Sequence, residues 1–417
     1  MQRYEKYKNS GIDWLGEIPE HWEVRKIKYL FNEINERALD GSGDLLSVSQ
    51  YSGVQKKVDK LNEGDLLTNA STLEGYKVVR KKQLVSNIML AWNGSLAFSD
   101  YDGITSPAYC VYELQANNYY KYFHYLLKTD IYKSEFKRKS SGVIESRLRL
   151  YTEDFFSISS ILPSIHEQYS IAKFLDDKCK KIDAAVNLKE QQIEKLKELR
   201  QITIHNAVTK GISHLKGEVL PMKDSGIDWI GEIPEHWEVG RFKFLCSITT
   251  GNKNTEDKVD NGVYPFYVRS QTEERINSYS FDGEAILTAG DGAGVGKVYH
   301  YVIGKFDFHQ RVYKFSNFND VLGKYLYLYL SSEFYNVAIL GTAKSTVDSL
   351  RLPLIQNFII VYPLNKAEQE QIINYLESQS VKIDKAIAQK QEQIVKLKEY
   401  KQSLINEAVT GKLKVVD

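Results

Sequence analysis

The sequence predicts an α+β protein with an internal pseudo-two-fold repeat: two α/β domains separated by two long antiparallel coiled-coil helices. Three observations lead there. A sixteen-residue segment is written twice, NSGIDWLGEIPEHWEV at 9–24 and DSGIDWIGEIPEHWEV at 224–239, with differences only at Asn9/Asp224 and Leu15/Ile230. A second repeat sets residues 167–209 against 368–410, pairing Ile171 with Ile372, Leu175 with Leu376, Ile182 with Ile383 and Asp183 with Asp384. It continues through Ile193/Ile394 and Leu196/Leu397 to a shared Ala-Val-Thr ending at 207–209 and 408–410. Between the repeats lie blocks that diverge. The order is motif, variable block, helix, taken twice, which marks a duplicated architecture.

In chain order, a first domain at 1–164 holds a variable block from about 25. Runs such as LLSVS and KVVRKKQLVS, set between glycine- and aspartate-bearing turns, read as short strands, and 117–137 reads as helical. A first long helix follows at 165–210. Glycine is absent from 143 to 210 and proline from 164 to 220, so nothing interrupts it. Apolar residues at 171, 175, 182, 186, 193 and 196 make one stripe, and Lys, Glu and Gln fill the other faces. At about 1.5 Å per residue the helix runs roughly 60 Å. A lone helix of that length would leave its stripe wet. A coiled coil between two chains is one solution, but duplication within one chain favours an antiparallel partner in the same chain. After a linker at 211–223, the second domain at 224–365 repeats the pattern with strands EAILTA, GKVYHYVI and FIIVY and a helical stretch at 319–337. The second long helix and C-terminal tail occupy 366–417. Matches in the same order (Ser49-Gln50 with Ser270-Gln271, Leu67-Thr68 with Leu287-Thr288, Val111-Tyr112 with Val312-Tyr313) suggest that the blocks share a fold while their surfaces differ. Such a chain suits two copies of one partner and two different targets.

Composition narrows the classes. The chain has 417 residues, 42% hydrophobic and 26% charged, enough for two or three ordinary cores. No run of 18 apolar residues exists, so no membrane partner is expected. The polar start MQRYEKYKNS lacks a secretory leader, and a cytoplasmic location is expected. Three scattered cysteines (Cys110, Cys179, Cys246) make neither a disulfide framework nor a zinc site, and the eight histidines form no metal motif. No metal and no cofactor are expected. The formal charge of +1 neither favours nor opposes nucleic acid.

At this point the residues resemble a known family, the specificity subunit of type I restriction-modification enzymes. The likeness covers essentially the whole chain. It rests on the doubled GIDW-x-GEIPEHWEV, on GDLLT and AILTAGDGAGVGKV, and on LPSIHEQ-x2-IA-x2-L with its partner AEQEQIINYL. The resemblance implies that each block is a target-recognition domain reading half of an asymmetric, split double-stranded DNA sequence, and that the helices set the gap. It implies two methyltransferase subunits as partners, with motor-nuclease subunits in the restriction complex. The chain itself would be non-catalytic, directing adenine methylation and cleavage by the others. Independently, readers held roughly 60 Å apart can meet one face of a duplex one to two turns apart. The alternatives are a coiled-coil protein-interaction scaffold without DNA specificity, or an enzyme with an unrecognised site.

Candidate sites follow. The segment at 290–298, GDGAGVGKV, falls short of a phosphate loop because Asp291 stands where glycine belongs and Val298 where a hydroxyl belongs. Its amides, Gly292 among them, and Lys297 could approach a DNA phosphate, or the segment is a tight turn between strands. Ser106-Pro-Ala-Tyr109 only partly matches the Asn/Asp-Pro-Pro-Tyr motif of adenine methyltransferases and reads as a turn with a packed tyrosine. For base and phosphate contact the side-chain types that matter are Arg, Lys, Asn, Gln, Ser and Thr in loops. The first block offers Ser49, Gln50, Asn69, Ser71, Thr72, Lys137, Arg138, Lys139 and Arg147; the second offers Arg269, Ser270, Gln271, His309, Gln310, Arg311, Lys344, Ser345 and Thr346. Trp14, Trp22, Trp229 and Trp237 recur in both motifs, either as internal packing that covers a helix base or as anchors for a docked methyltransferase.

Overall fold

The computed structural model describes residues 2–60, 72–144, 147–215, 217–342 and 349–415. The chain divides into two compact units, Met1–Leu188 with Glu392–Asp417, and Lys189–Gln391. These units cut across the division drawn from sequence, because each takes one half of each long helix. No described helix is long and apolar enough to cross a membrane.

In the first unit a four-stranded antiparallel sheet runs β1 (Phe31–Ile34), β6 (Tyr109–Leu114), β4 (Leu84–Asn87) and β5 (Leu96–Phe98) in spatial order. The hairpin β2 (Leu46–Ser49) and β3 (Gly53–Lys56) shares a core with it, in which Leu46, Val48, Val85, Ala97 and Val111 are buried together. The helices Tyr120–Leu127 and Asp130–Lys139 break the single helix expected over 117–137: Thr129 caps the second one, its hydroxyl accepting from the Tyr132 amide.

The second unit carries the same topology in a larger sheet. Its order is β7 (Ser247–Thr250), β12 (Val312–Ser316), β10 (Phe281–Ala289), β11 (Tyr299–Phe308), β8 (Tyr264–Tyr267) and β9 (Glu274–Ile276). Residues 285–289 of β10 are all buried, as a central strand covered on both faces requires. Helix Gly323–Thr342 follows. Sheet order matches β6 with β12, but the register shifts the expected Val111/Val312 pairing by two residues: Val312 lies opposite Ala289, at the end of β10, as Tyr109 lies opposite Asn87, at the end of β4. The strand equivalent to β10 is β4, which replaces the expected pairing of Leu67-Thr68 with Leu287-Thr288; Leu67 and Thr68 lie outside the described residues.

The first long helix, Ile165–Leu215, is broken at Gly211 (φ 80°), and the last runs Lys366–Val409. Their apolar stripes are buried: Ile171, Leu175, Ile182 and Val186 in the first unit, Ile193, Ile372, Leu376 and Ile383 in the second. Burying each such side chain stabilises by about 1.5–3 kcal/mol. In the second unit Lys390 Nζ donates to Gln192 Oε1 at 2.7 Å, and Arg200 pairs with Asp384, so the helices run antiparallel. In the first unit Lys401 Nζ donates to both carboxylate oxygens of Asp183 at 2.7 Å.

Candidate nucleic-acid interface

The duplicated motif builds one joint per unit. The Trp22 indole donates to Glu167 Oε1 at 3.1 Å, and His21 Nε2 lies 2.9 Å from the same oxygen. Ser164 donates to the other oxygen at 2.9 Å and caps the helix that Glu167 enters. Burial works to raise the Glu167 carboxyl, but the donors His21, Trp22 and Ser164 outweigh it and hold it below its usual range. In the second unit Trp237 donates to Glu368 at 2.9 Å, with His236 at 3.0 Å. Each joint also receives a helix end from the other copy. Tyr122 donates to the Val409 carbonyl and Tyr325 to that of Val208, both at 3.0 Å. Trp22 and Trp237 have no accessible surface. They serve this joint, and a buried indole offers a partner nothing to dock on. Trp14 and Trp229 differ: Trp14 is half-buried, edge-on to Tyr132, and Trp229 is exposed, stacked on Phe358.

At one end of the second unit's sheet, three separated loops meet. Arg269 follows β8, Arg311 sits in the turn from β11 to β12, and Asp291 opens the glycine-rich loop after β10. Arg269 Nη1 is 2.8 Å from Asp291 Oδ1, and Arg311 Nη1 pairs with Asp291 Oδ2. Burial works to raise the Asp291 carboxyl, yet the Arg311 and Arg269 guanidiniums keep it ionised and below its usual range. Glycine is required at two points of this loop. A Cβ at Gly290 would stand 2.9 Å from the Arg311 carbonyl oxygen, and one at Gly294 would stand 2.5 Å from that of Arg269. The loop is thus a spacer that wedges a carboxylate between two arginine-bearing strand ends. Ser270 and Gln271 are exposed beside it, with the Ser270 carbonyl facing His300 Nε2 at 3.0 Å and Gln271 donating to the Tyr299 carbonyl. Gly292 is half-buried, and the exposed Lys297 lies over the Tyr335 ring. Gln310 is exposed and donates to Asn254. His309 departs from the expected exposed reader: it is buried, held neutral mainly by desolvation, and its Nδ1 accepts from the Arg311 amide at 3.0 Å. It shapes the turn that presents Arg311. Lys344, Ser345 and Thr346 lie outside the described residues; Ser349, just beyond, bridges to Asp291.

The equivalent end of the first unit is chemically different. The loop after β4 presents Trp92, with Lys137 Nζ 5.3 Å from its ring centroid. Leu150 donates its amide to Ile88, as Leu350 does to Gly290, so the scaffold matches while the exposed groups do not. Arg138 is taken up by buried Glu135, with both bonds 2.6 Å, whereas Lys139 is half-buried and Arg147 exposed. Ser49 ends β2 and Gln50 opens the β2–β3 turn, across which the Ser49 and Ser52 hydroxyls meet at 2.8 Å. Thr72 is exposed; Asn69 and Ser71 lie outside the described residues. Ser106-Pro-Ala-Tyr109 is a turn whose Tyr109 hydroxyl accepts from Asn87.

The sequence matches the family described as type I restriction modification DNA specificity domain twice, over residues 19–198 and 234–398. The chain belongs to this family of specificity subunits. It is 25% identical to the MjaVIII type I restriction enzyme specificity subunit of Methanocaldococcus jannaschii, across 100% of this chain and 98% of that one. The EcoDI specificity subunit of Escherichia coli is 26% identical over 183 residues, 44% of this chain and 40% of that one. A solved structure described as the structural basis underlying complex assembly and conformational transition of the type I R-M system shares the fold, with a TM-score of 0.71 at 16% identity over 95% of this chain and 99% of the other. The HsdS subunit from Thermoanaerobacter tengcongensis gives 0.55 at 15% identity, over 95% and 98%.

Sequence reasoning missed two residues of this specificity subunit's second-unit cluster. The sequence pattern marks Asp291 only as a departure from a phosphate loop and does not single out His300. The signal available for Asp291 was an acid flanked by glycines between two arginine-bearing turns. Among the described residues no group of three or more His, Cys, Asp or Glu side chains is placed to hold a metal ion, and the three cysteines are free thiols.

Proposed function

We propose that each unit reads one half of an asymmetric two-part DNA target with the sheet-end loops, that the paired helices set the gap, and that partner subunits methylate adenine and cleave where the chain directs them. The chain contributes recognition and no catalysis. The observation that carries this reading is the matched scaffold bearing unmatched loops. At equivalent sheet ends, one unit sets Trp92 of the loop after β4 beneath Lys137 of the helix Asp130–Lys139, where the other sets Asp291 between two arginines from neighbouring loops. A scaffold that only joined proteins would have no need for two different polar surfaces at equivalent positions.

The candidate contacts are the exposed groups among Ser49, Gln50, Thr72, Lys137, Lys139 and Arg147, then Arg269, Ser270, Gln271, Lys297, Gln310 and Arg311. Docking of a methyltransferase falls to Trp14 and Trp229, each beside exposed repeated acids, Asp13 and Glu17 in one copy and Asp228 and Glu232 in the other. Such carboxylates repel phosphate and suit a protein partner.

The test is to co-express the chain with the methyltransferase subunit of its operon and map methylated adenines across a genome. A two-part motif with a fixed gap, one half of which changes when residues 25–164 are exchanged for those of a relative, is the expected result. Absence of methylation, or a motif indifferent to the exchange, favours the scaffold.

A further inference from the structure

We propose that the half-site read by the second unit carries two guanines, one for Arg269 and one for Arg311, and that Asp291 positions both guanidiniums for that contact. This rests on the two-part reading above and names the base class that one half must contain.

The two arginines come from strand ends 42 residues apart in the chain, yet one carboxylate holds both. Asp291 is largely covered, with 13% of its side chain accessible, while Arg269 and Arg311 remain 44% and 61% accessible. Ion pairs that exposed add little to folding. Their consequence is geometric, since two flexible side chains are fixed in one place. The backbone is fixed as well. The Gly290 amide donates to the Arg311 carbonyl at 2.8 Å, and the Leu350 amide donates to Gly290 at 2.8 Å. The Arg311 amide is held by His309.

Among the described residues each guanidinium binds Asp291 alone, through one nitrogen, which leaves its other donors for an incoming group. A planar donor fork matches the paired acceptors O6 and N7 on the major-groove edge of guanine. Adenine presents an amino donor where guanine has O6, so the same fork would leave a donor facing a donor. Phosphate is the competing ligand. A carboxylate directly behind the arginines penalises an approaching phosphate anion far more than the neutral edge of a base. The geometry therefore favours base reading over backbone contact. Among the described residues the equivalent end of the first unit has no such triad; Lys137 of the helix Asp130–Lys139 lies over Trp92 there, so the two halves should differ in base class as well as in residue.

The experiment uses the assembled methyltransferase complex. First, exchange of residues 25–164 identifies which half of the motif the second unit reads. Then duplexes varied one position at a time are methylated by the complex carrying Arg269→Ala, Arg311→Ala or Asp291→Asn. The expected result is two G·C pairs in that half. Each arginine variant should lose about 10–100-fold of discrimination at one of them, with the other half-site unaffected. Asp291→Asn should relax both guanine positions together at an unchanged melting temperature, which a purely structural role would not produce. A half-site without guanine overturns the proposal. So does uniform weakening over all positions with a salt slope reduced by about one, the signature of a phosphate contact. In either case the two-part motif survives and the proposed function stands. Loss of the two-part motif in the unsubstituted complex removes both.

Discussion

Trp22 and Trp14 stand eight residues apart in the same repeated motif and should fail in different ways. Trp22 is fully buried, and its indole donates to Glu167 at 3.1 Å. Truncating a buried tryptophan to alanine costs about 3–5 kcal/mol in lost burial and cavity. Glu167 keeps His21 and Ser164 as donors, so the lost hydrogen bond adds only about 1 kcal/mol. At about 2–4 °C per kcal/mol for a unit near 200 residues, Trp22→Ala should lower the melting transition of the first unit by roughly 10–20 °C. Trp14 is half-buried against Tyr132 at 5.1 Å, an edge contact worth about 0.5–1.5 kcal/mol. Trp14→Ala should melt within a few degrees of the parent but weaken assembly with the methyltransferase subunit by about 2 kcal/mol, close to thirty-fold. Calorimetry of the purified chain and titration of the partner measure the two quantities separately. An unchanged transition in Trp22→Ala would refute the joint. Parent-like assembly of Trp14→Ala would refute the docking surface.

Three further outcomes follow from the same geometry. Tyr122→Phe and Tyr325→Phe each strand a helix-end carbonyl inside a joint and should cost about 1–3 kcal/mol apiece by denaturant titration, the first unit for one and the second for the other. Glu167 has a lowered folded pKa, so its stabilisation is complete above the ordinary carboxylate range and disappears as pH falls through that lowered value. Melting of the first unit between pH 7 and pH 3 should accordingly fall less steeply in Glu167→Gln than in the parent, and parallel curves would contradict the assignment. Gly294→Ala places a Cβ against the Arg269 carbonyl and should degrade recognition in one half of the motif only, read by methylation mapping, with the first unit's melting transition unchanged.

The architecture was readable because the chain states each requirement twice. Trp22 and Trp237 must each cover a helix with a glutamate in its first turn, and the helices must each bury one stripe, so the repeats and the heptad-like spacing survive side by side. What local sequence does not carry is which ends meet. The Tyr122 hydroxyl finds Val409, 287 residues away, and no periodicity announces that contact. The match of Leu67-Thr68 to Leu287-Thr288 misled for a related reason. A short apolar stretch ending in threonine is common to many strands, whereas sheet order depends on partners. Residue type alone is a poor guide to the surroundings of Asp291 and His309. The carboxylate's partners lie 20 and 22 residues off, and the histidine's own backbone turn buries it.

The composition of the units makes one last outcome testable. The first unit is completed by residues 392–417, whose Gly411 carbonyl accepts from Tyr7 and whose Lys414 amide donates to the Gln2 carbonyl at 3.0 Å. Gly411 is pressed against Pro19 so closely that a Cβ would come within 2.4 Å of its ring, and its φ of 76° already favours glycine. The joint therefore depends on this segment being present and does not depend on covalent continuity through 211–223, where the exposed Val219 makes no part of a core. Joining residue 415 to residue 2 through a few flexible residues and opening the chain near 219 should preserve both joints, since exposed connections tolerate such rearrangement. The permuted chain should melt within a few degrees of the parent and direct methylation to the same motif. Removing residues 392–417 from the unpermuted chain should instead expose Trp22 and Tyr122 and abolish the first unit's transition. A permuted chain that does not fold, or a truncated one that melts normally, would show that the unit is not assembled from these two stretches.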